Sequence, residues 1–344
     1  MPSPEEKLLL SLCRLEFGEN ETGNLKLLAG EIKDWMQFAN LANKHGIIAL
    51  TAYNVRATNL ANLIPDNVKR LLNEGLMQSI LRNTWLTERW KEVNRILTDA
   101  GIRHVLLKGM ALEHTVYGSR GLRQMTDNDI LISREDGVKA WKLLQEHGFV
   151  TQPVKSPLHR NIIADIGKHL PTLVKDGYAL EIHLRLSGFG KAASDPANIM
   201  DKAIPIKIDG ITAFIPDDAT HLKYLAEHSI YHQTISGPEL KLFLDISLLK
   251  KDGYESINPG IFSNPSAYKN PGYKKKIYRE QVFGLSHGKK LRFLTGDIFP
   301  SPVWMRQRYK CSLAGVMIRY PARLWKLTWL FFPTGALMFS RKKR

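Results

Sequence analysis

Residues 106–132 read LLKGMALEHTVYGSRGLRQMTDNDILI. The apolar run 103–107 (RHVLL) predicts a short strand, and 110–117 predicts a short helix after Gly109. The stretch 118–126 (GSRGLRQMT) predicts a loop, and 129–132 (DILI) a second strand. A strand that turns into a helix at Lys108-Gly109 presents unpaired backbone N–H groups and a partial positive charge, which favour phosphate. Gly109, without a Cβ, lets a phosphate come close to the backbone. At the second strand, alternation puts Asp127 and Asp129 on one face and Asn128 on the other. Two neighbouring carboxylates repel unless a cation lies between them, and Mg²⁺ takes a few carboxylate oxygens together with substrate phosphates. Arg120 and Arg123 carry the planar forks that grip phosphate oxygens.

Working outward, 134–147 predicts an amphipathic helix stopped by Gly148. Residues 169–174 and 178–186 predict two strands joined by an Asp176-Gly177 turn. In the second of these (YALEIHLRL), Glu181 and His183 share one face. If that strand lies beside the Asp127/Asp129 strand, Glu181 completes a three-carboxylate site. Three acids can hold two Mg²⁺ ions, the arrangement that polarises attacking and leaving oxygens in phosphoryl transfer. The third acid is also placed to orient or deprotonate an attacking hydroxyl.

Upstream, residues 1–100 read as helical, with amphipathic stretches at 32–44 and at 67–100, the latter broken near Asn83. Downstream, 217–231 and 239–250 predict two more helices, and 253–273 a loop. Three regions follow: a helical one over 1–100, an α/β core over 101–187, and a mostly helical one over 188–344. His221, His228 and His232 fall on one helical face, a spacing that zinc ligands use, although core polar pairing is the plainer reading.

The chain has 344 residues, 44% of them hydrophobic and 24% charged, ordinary for a globular protein and unlike a disordered or fibrous one. Two cysteines exclude a disulfide framework and favour a reducing compartment. The start, MPSPEEKLLL, is acidic and its apolar run is too short for a secretory signal, so a cytoplasmic location is expected. No uncharged apolar stretch is long enough to span a membrane. The formal net charge is +16, and residues 269–344 carry all of it: 18 Lys or Arg against Glu280 and Asp297. Such a basic region meets phosphate, in nucleic acid, an anionic membrane or a charged substrate. Residues 324–339 (LWKLTWLFFPTGALMF), followed by RKKR, read either as a core helix with a basic tail or as an interfacial anchor on an anionic leaflet.

Taken together, LLKG, a Tyr and an Arg, DxD before apolar residues, and an acid-x-His strand resemble the uncharacterised nucleotidyltransferase family. That family is often found in polysaccharide-biosynthesis clusters and belongs to the DNA-polymerase-β-like nucleotidyltransferase superfamily. The resemblance extends over KHGIIAL, AGIRHVLLKGMAL, LRQMTDNDILI, LEIHLRL, the helix with Glu227-His228, KLFLDISLL around Asp245, and FPSPVWMRQRY. It implies an α+β fold: a small mixed-sheet nucleotidyltransferase core with helical N-terminal and C-terminal regions.

It also implies Asp127, Asp129 and Glu181 as catalytic acids and metal ligands, for Mg²⁺ or Mn²⁺. Lys108, Gly109 and Arg123 become nucleotide contacts, and His228 and Asp245 cleft residues; the reading of the residues themselves adds Arg120 to the first group and His183 to the second. The activity implied is transfer of NMP from an NTP to a hydroxyl acceptor: a sugar, a lipid-linked glycan, a protein or an RNA. Two positions depart from the superfamily pattern. Asn128 stands where an apolar residue separates the acids, and Gly109-Met110 where a Gly-Ser or Gly-Gly turn is usual. They motivate a second reading, a non-catalytic scaffold of the same fold at a membrane surface. A third is an RNA-modifying nucleotidyltransferase served by the basic region.

Overall fold

The computed structural model describes residues 2–187, 194–236, 239–251, 257–258, 260–263 and 271–331. They form a mixed α+β fold. One sheet holds β1 (His104–Leu107), β2 (Asn128–Ile132), β3 (Val150–Thr151), β4 (Leu173–Lys175) and β5 (Tyr178–His183) in the order β1-β2-β5-β4-β3. β1 is antiparallel to β2, and β2 is parallel to β5. A separate hairpin pairs β6 (Ile204–Ile208) with β7 (Ile211–Ile215).

Strand alternation divides the sheet into two faces. On one, Leu106, Ile130, Ile132, Leu180 and Ile182 join a core with Trp90 and Leu97 of the helix Asp66–Asp99 and Leu144 of the helix Arg134–Glu146. On the other, Val105, Leu107 and Leu131 pack with Tyr224, and Asp129 belongs to this face. A third core gathers the N-terminal helices around Leu8, Phe38 and Leu50 and takes in Leu225, Leu240 and Leu244 from much later in the chain. The helix Asp66–Asp99 serves two cores, with Leu72 in the N-terminal one and Leu86 under the sheet.

Several elements differ from the sequence reading. The expected break near Asn83 is absent, and one helix runs from Asp66 to Asp99. Asn83 does not interrupt the backbone because its amide is used sideways, donating to the Arg123 carbonyl at 2.9 Å. The expected strand over 169–174 is shorter. Pro171 has no N–H to give a ladder, so His169 makes only an isolated bridge to His183, and β4 begins at Leu173. The helix expected over 32–44 starts at Trp35 instead, where Asp34 accepts the Gln37 N–H as an N-cap. The helix expected over 110–117 starts two residues earlier and spans Lys108–Thr115.

The Asp176-Gly177 turn forms, with φ of 50° and 80°. Asp209-Gly210, at 47° and 81°, closes the β6–β7 hairpin in the same way. The sequence carries the same Asp-Gly signal there, between the alternating stretches 204–208 and 211–215. No helix among the described residues is long and apolar enough to cross a membrane. Of the apolar stretch 324–339 and the RKKR end, residues 332–344 lie outside the described residues.

Candidate active site

The β2–β5 register places Asp129 directly opposite Glu181 and Leu131 opposite His183. Side chains opposite one another on adjacent strands share a face, and period 2 adds His183 to the face of Glu181. The ligand atoms of Asp129, Glu181 and His183 all lie within 4.8 Å of one another. Asp129 Oδ1 accepts from Lys108 Nζ at 2.7 Å and from His183 Nε2 at 2.7 Å. Glu181 Oε2 lies 3.6 Å from His183 Nε2 and 3.9 Å from His169 Nε2. Its other oxygen accepts from Thr172 Oγ1 at 3.4 Å. An ionised carboxylate only accepts, so His183 Nε2 carries a proton, and its buried Nδ1 has no hydrogen-bond partner.

Burial by itself would raise the Asp129 carboxyl. The Lys108 ammonium and the His183 hydrogen bond override it and hold the acid well below the usual carboxylate range. Lys108 is buried too, yet the Asp129 charge keeps it protonated far into alkali. Glu181 is likewise lowered against the effect of burial, by the His183 hydrogen bond and the His169 charge. Asp127 stands just ahead of β2 and goes the other way. Burial raises its carboxyl, and the Asp129 charge adds to the rise. Its carboxylate takes the Thr126 hydroxyl at 3.1 Å and is not in the three-residue cluster. Two carboxylates and one imidazole form a donor set of the kind that holds a divalent cation.

Lys108, the residue after β1, takes a left-handed backbone conformation, φ 47°, which L-residues adopt at a cost. The tight turn lets the chain pass straight from strand to helix while its side chain reaches back to Asp129 and lies 6.0 Å from the Tyr224 ring centre. Gly109 follows because nothing larger fits. A Cβ there would stand 2.5 Å from Arg123 Nη1 and 2.9 Å from Met125 Sδ.

The loop 118–126 is stapled to the helix Asp66–Asp99 and to the buried Glu113. Ser79 Oγ donates to the Gly121 carbonyl at 2.7 Å, and Arg82 donates to that of Thr126 at 2.6 Å. Glu113 accepts the backbone N–H groups of Gly121 and Arg123. Both arginines of the loop are engaged with protein. Arg120 donates to the Tyr117 carbonyl and the Tyr53 hydroxyl. Arg123 donates from Nε and Nη2 to Asp245, which also accepts from Tyr117 Oη at 2.9 Å. A carboxylate as buried as Asp245 (0% exposed) requires a paired cation, and this pairing rather than a phosphate occupies the Arg123 fork.

The helix Asp218–Ser236 closes over the acidic face. A run of ring contacts leads from His169 to His183, then to Tyr224, His228 and His232, with centroids 5.4 to 6.2 Å apart. Burial pushes His228 down to about 3, with the Lys108 charge acting the same way. His221 is pushed down to about 4 by burial and is the histidine that feels the Asp245 charge. Asp245 and His228 therefore belong to two adjoining clusters. The three histidines of this helix form no metal cluster among the described residues.

Beside Glu181 opens a groove of about 380 Å³. His169 and Thr172, which touch Glu181, line it together with Tyr278, Phe293 and Asp297. Sequence reasoning missed this wall, because its residues come from helices that carry no motif.

A family model described as an uncharacterised nucleotidyltransferase matches residues 31–262. The match takes in every residue of the Asp129 cluster and of the Arg123–Asp245 cluster, and ends before Tyr278. No curated protein and no solved structure matches the chain.

Proposed function

The chain belongs to the uncharacterised nucleotidyltransferase family, and we propose that it transfers NMP from an NTP to a hydroxyl acceptor in a divalent-cation-dependent reaction. The observation that carries the reading is Asp129 facing Glu181 across two parallel strands, with Lys108 on the same carboxylate. Asp129 and Glu181 would hold Mg²⁺ or Mn²⁺, with His183 or Asp127 beside them. When bound, such a cation neutralises phosphate charge and lowers the cost of charge build-up at the α-phosphate.

The chain's own groups do the rest. Lys108 lies where its ammonium can pass from Asp129 to a phosphate oxygen. Glu181, kept ionised, accepts the proton of the acceptor hydroxyl as that oxygen bonds to the α-phosphorus. The bond from the α-phosphorus to the bridging oxygen breaks, and pyrophosphate leaves with the electron pair. The groove beside Glu181 receives the acceptor, and the helix over the face excludes water. The acceptor in this reading is a sugar or lipid-linked glycan of polysaccharide assembly, the reaction is cytoplasmic, and the core is the region 101–187 between two helical ones.

Labelled NTPs, each tried with cell extract and the full chain, test the reading. Label should pass to an acceptor with the wild type and not with Asp129→Asn. Equal labelling by both proteins would sink it.

The engagement of Arg120 and Arg123 within the protein favours a second reading, a scaffold that keeps the fold without the reaction. Calorimetry with Mg²⁺ and each NTP separates the two: no heat at millimolar ligand selects the scaffold. The basic C-terminal region supports an RNA acceptor instead, and labelling of RNA rather than glycan would select that variant.

A further inference from the structure

The helix Leu313–Phe331 turns an apolar face outward. At 100° per residue, Leu313, Ala314, Met317, Ile318, Pro321 and Trp325 share an arc of about 140°. All six are exposed, and Leu313, Met317, Ile318 and Trp325 are 63%, 69%, 76% and 77% exposed. This is not the side that seats the helix. Val316, on the opposite side, is buried, and the Tyr320 hydroxyl donates to the Pro300 carbonyl at 2.6 Å. An ordinary surface helix points its charged side to water. Phe299, whose ring meets Tyr320, is exposed as well and carries the apolar surface onto the preceding segment. Contiguous exposed apolar surface marks an interaction site.

Charge decides what covers it. Residues 269–344 carry 18 basic side chains and two acids, and Arg306, Arg308 and Lys310 are exposed on the segment that precedes the helix. A second copy would bring one strongly cationic region against another. Nucleic acid would answer the charge, but it is held by donors to phosphate and base edges, which Leu, Met and Ile lack. An anionic bilayer answers both features: its headgroups take the cations and its acyl boundary takes the apolar arc. We propose that this face of the Leu313–Phe331 helix docks the protein peripherally on an anionic lipid bilayer, lying in the interface rather than crossing it. The inference goes beyond the transfer reaction and does not rest on it.

Flotation of the full chain with vesicles of phosphatidylglycerol and phosphatidylcholine, against vesicles of phosphatidylcholine alone, tests it. The wild type should float with the anionic vesicles, less so with the neutral ones, and less as salt is raised. The double variant Met317→Glu/Ile318→Glu changes two exposed side chains, so its thermal melting should match the wild type. Its recovery on anionic vesicles should fall at least about tenfold. A wild type that stays at the bottom of the gradient overturns the proposal. So does a double variant that floats as well as the wild type. A wild-type dimer that the double variant splits, with no flotation by either, assigns the face to a second copy and also overturns it.

Discussion

On Asp129 one oxygen carries both an ammonium and an imidazole N–H, so this carboxylate is the most heavily compensated group of the candidate site. Asp129→Asn should lower NMP transfer about a hundredfold or more, read as kcat/KM, while Mg²⁺ affinity falls with it. Lys108→Met leaves the acid buried with His183 alone and should cost about 3 kcal/mol at neutral pH, read by urea unfolding. Its pH dependence has a definite sign. The folded Asp129 pKa is depressed, so its stabilisation is present above the unfolded value of about 3.9 and is lost as pH falls below it. The gap between Lys108→Met and wild type should therefore narrow on acidification below about pH 4, and a gap that widens there would contradict the pairing. Arg123→Met should cost about 3–5 kcal/mol by stranding Asp245, and Arg123→Met/Asp245→Leu should recover much of that. The alternation that sends Asp129 and Asn128 to opposite faces was legible in the strand pattern, whereas Asp127 stands ahead of β2 and outside the cluster. The destination of Arg123 was not legible, since its partner lies 122 residues further along the chain.

The strand–turn–helix around Lys108 is where the elements meet most tightly. Gly109→Ala should lower stability by about 1–3 kcal/mol, because the guanidinium it would strike is fixed by Asp245 and cannot swing away. A melting temperature unchanged from wild type would show that the loop gives way instead. The glycine was noticed in the sequence as a place for phosphate, whereas its packing duty against Arg123 and Met125 shows only once the loop 118–126 is folded over it. The elements themselves were largely legible. β1, β2, β5 and the helix Arg134–Glu146 came from hydrophobic periodicity, within a few residues at their ends. The misjudged ones have identifiable causes: Pro171 cut a strand short, and Asn83 looked like a break until its amide found the distant Arg123 carbonyl.

Across the whole molecule, ligand binding and folding are linked. If Mg²⁺ and an NTP bind the folded chain alone, a hundredfold excess over Kd adds about 2.7 kcal/mol of stability. The melting temperature should rise accordingly and return to its ligand-free value on adding EDTA, and Asp129→Asn should show no rise. Among the described residues four cores are assembled, and segments far apart in the sequence meet in them, with Leu225, Leu240 and Leu244 joining the N-terminal helices and Ile162 packing with Val282 and Phe293. The sequence by itself determined the α+β class, the run of strands that bears the acids and the location of the charge, because periodicity, turn chemistry and composition are local properties. Only the tertiary structure decided that Asp129 meets Glu181, that Arg123 is held by Asp245, and that a groove opens beside Glu181. Those facts depend on which strand lies next to which and on where a buried charge finds its partner, and no stretch of neighbouring residues encodes either one.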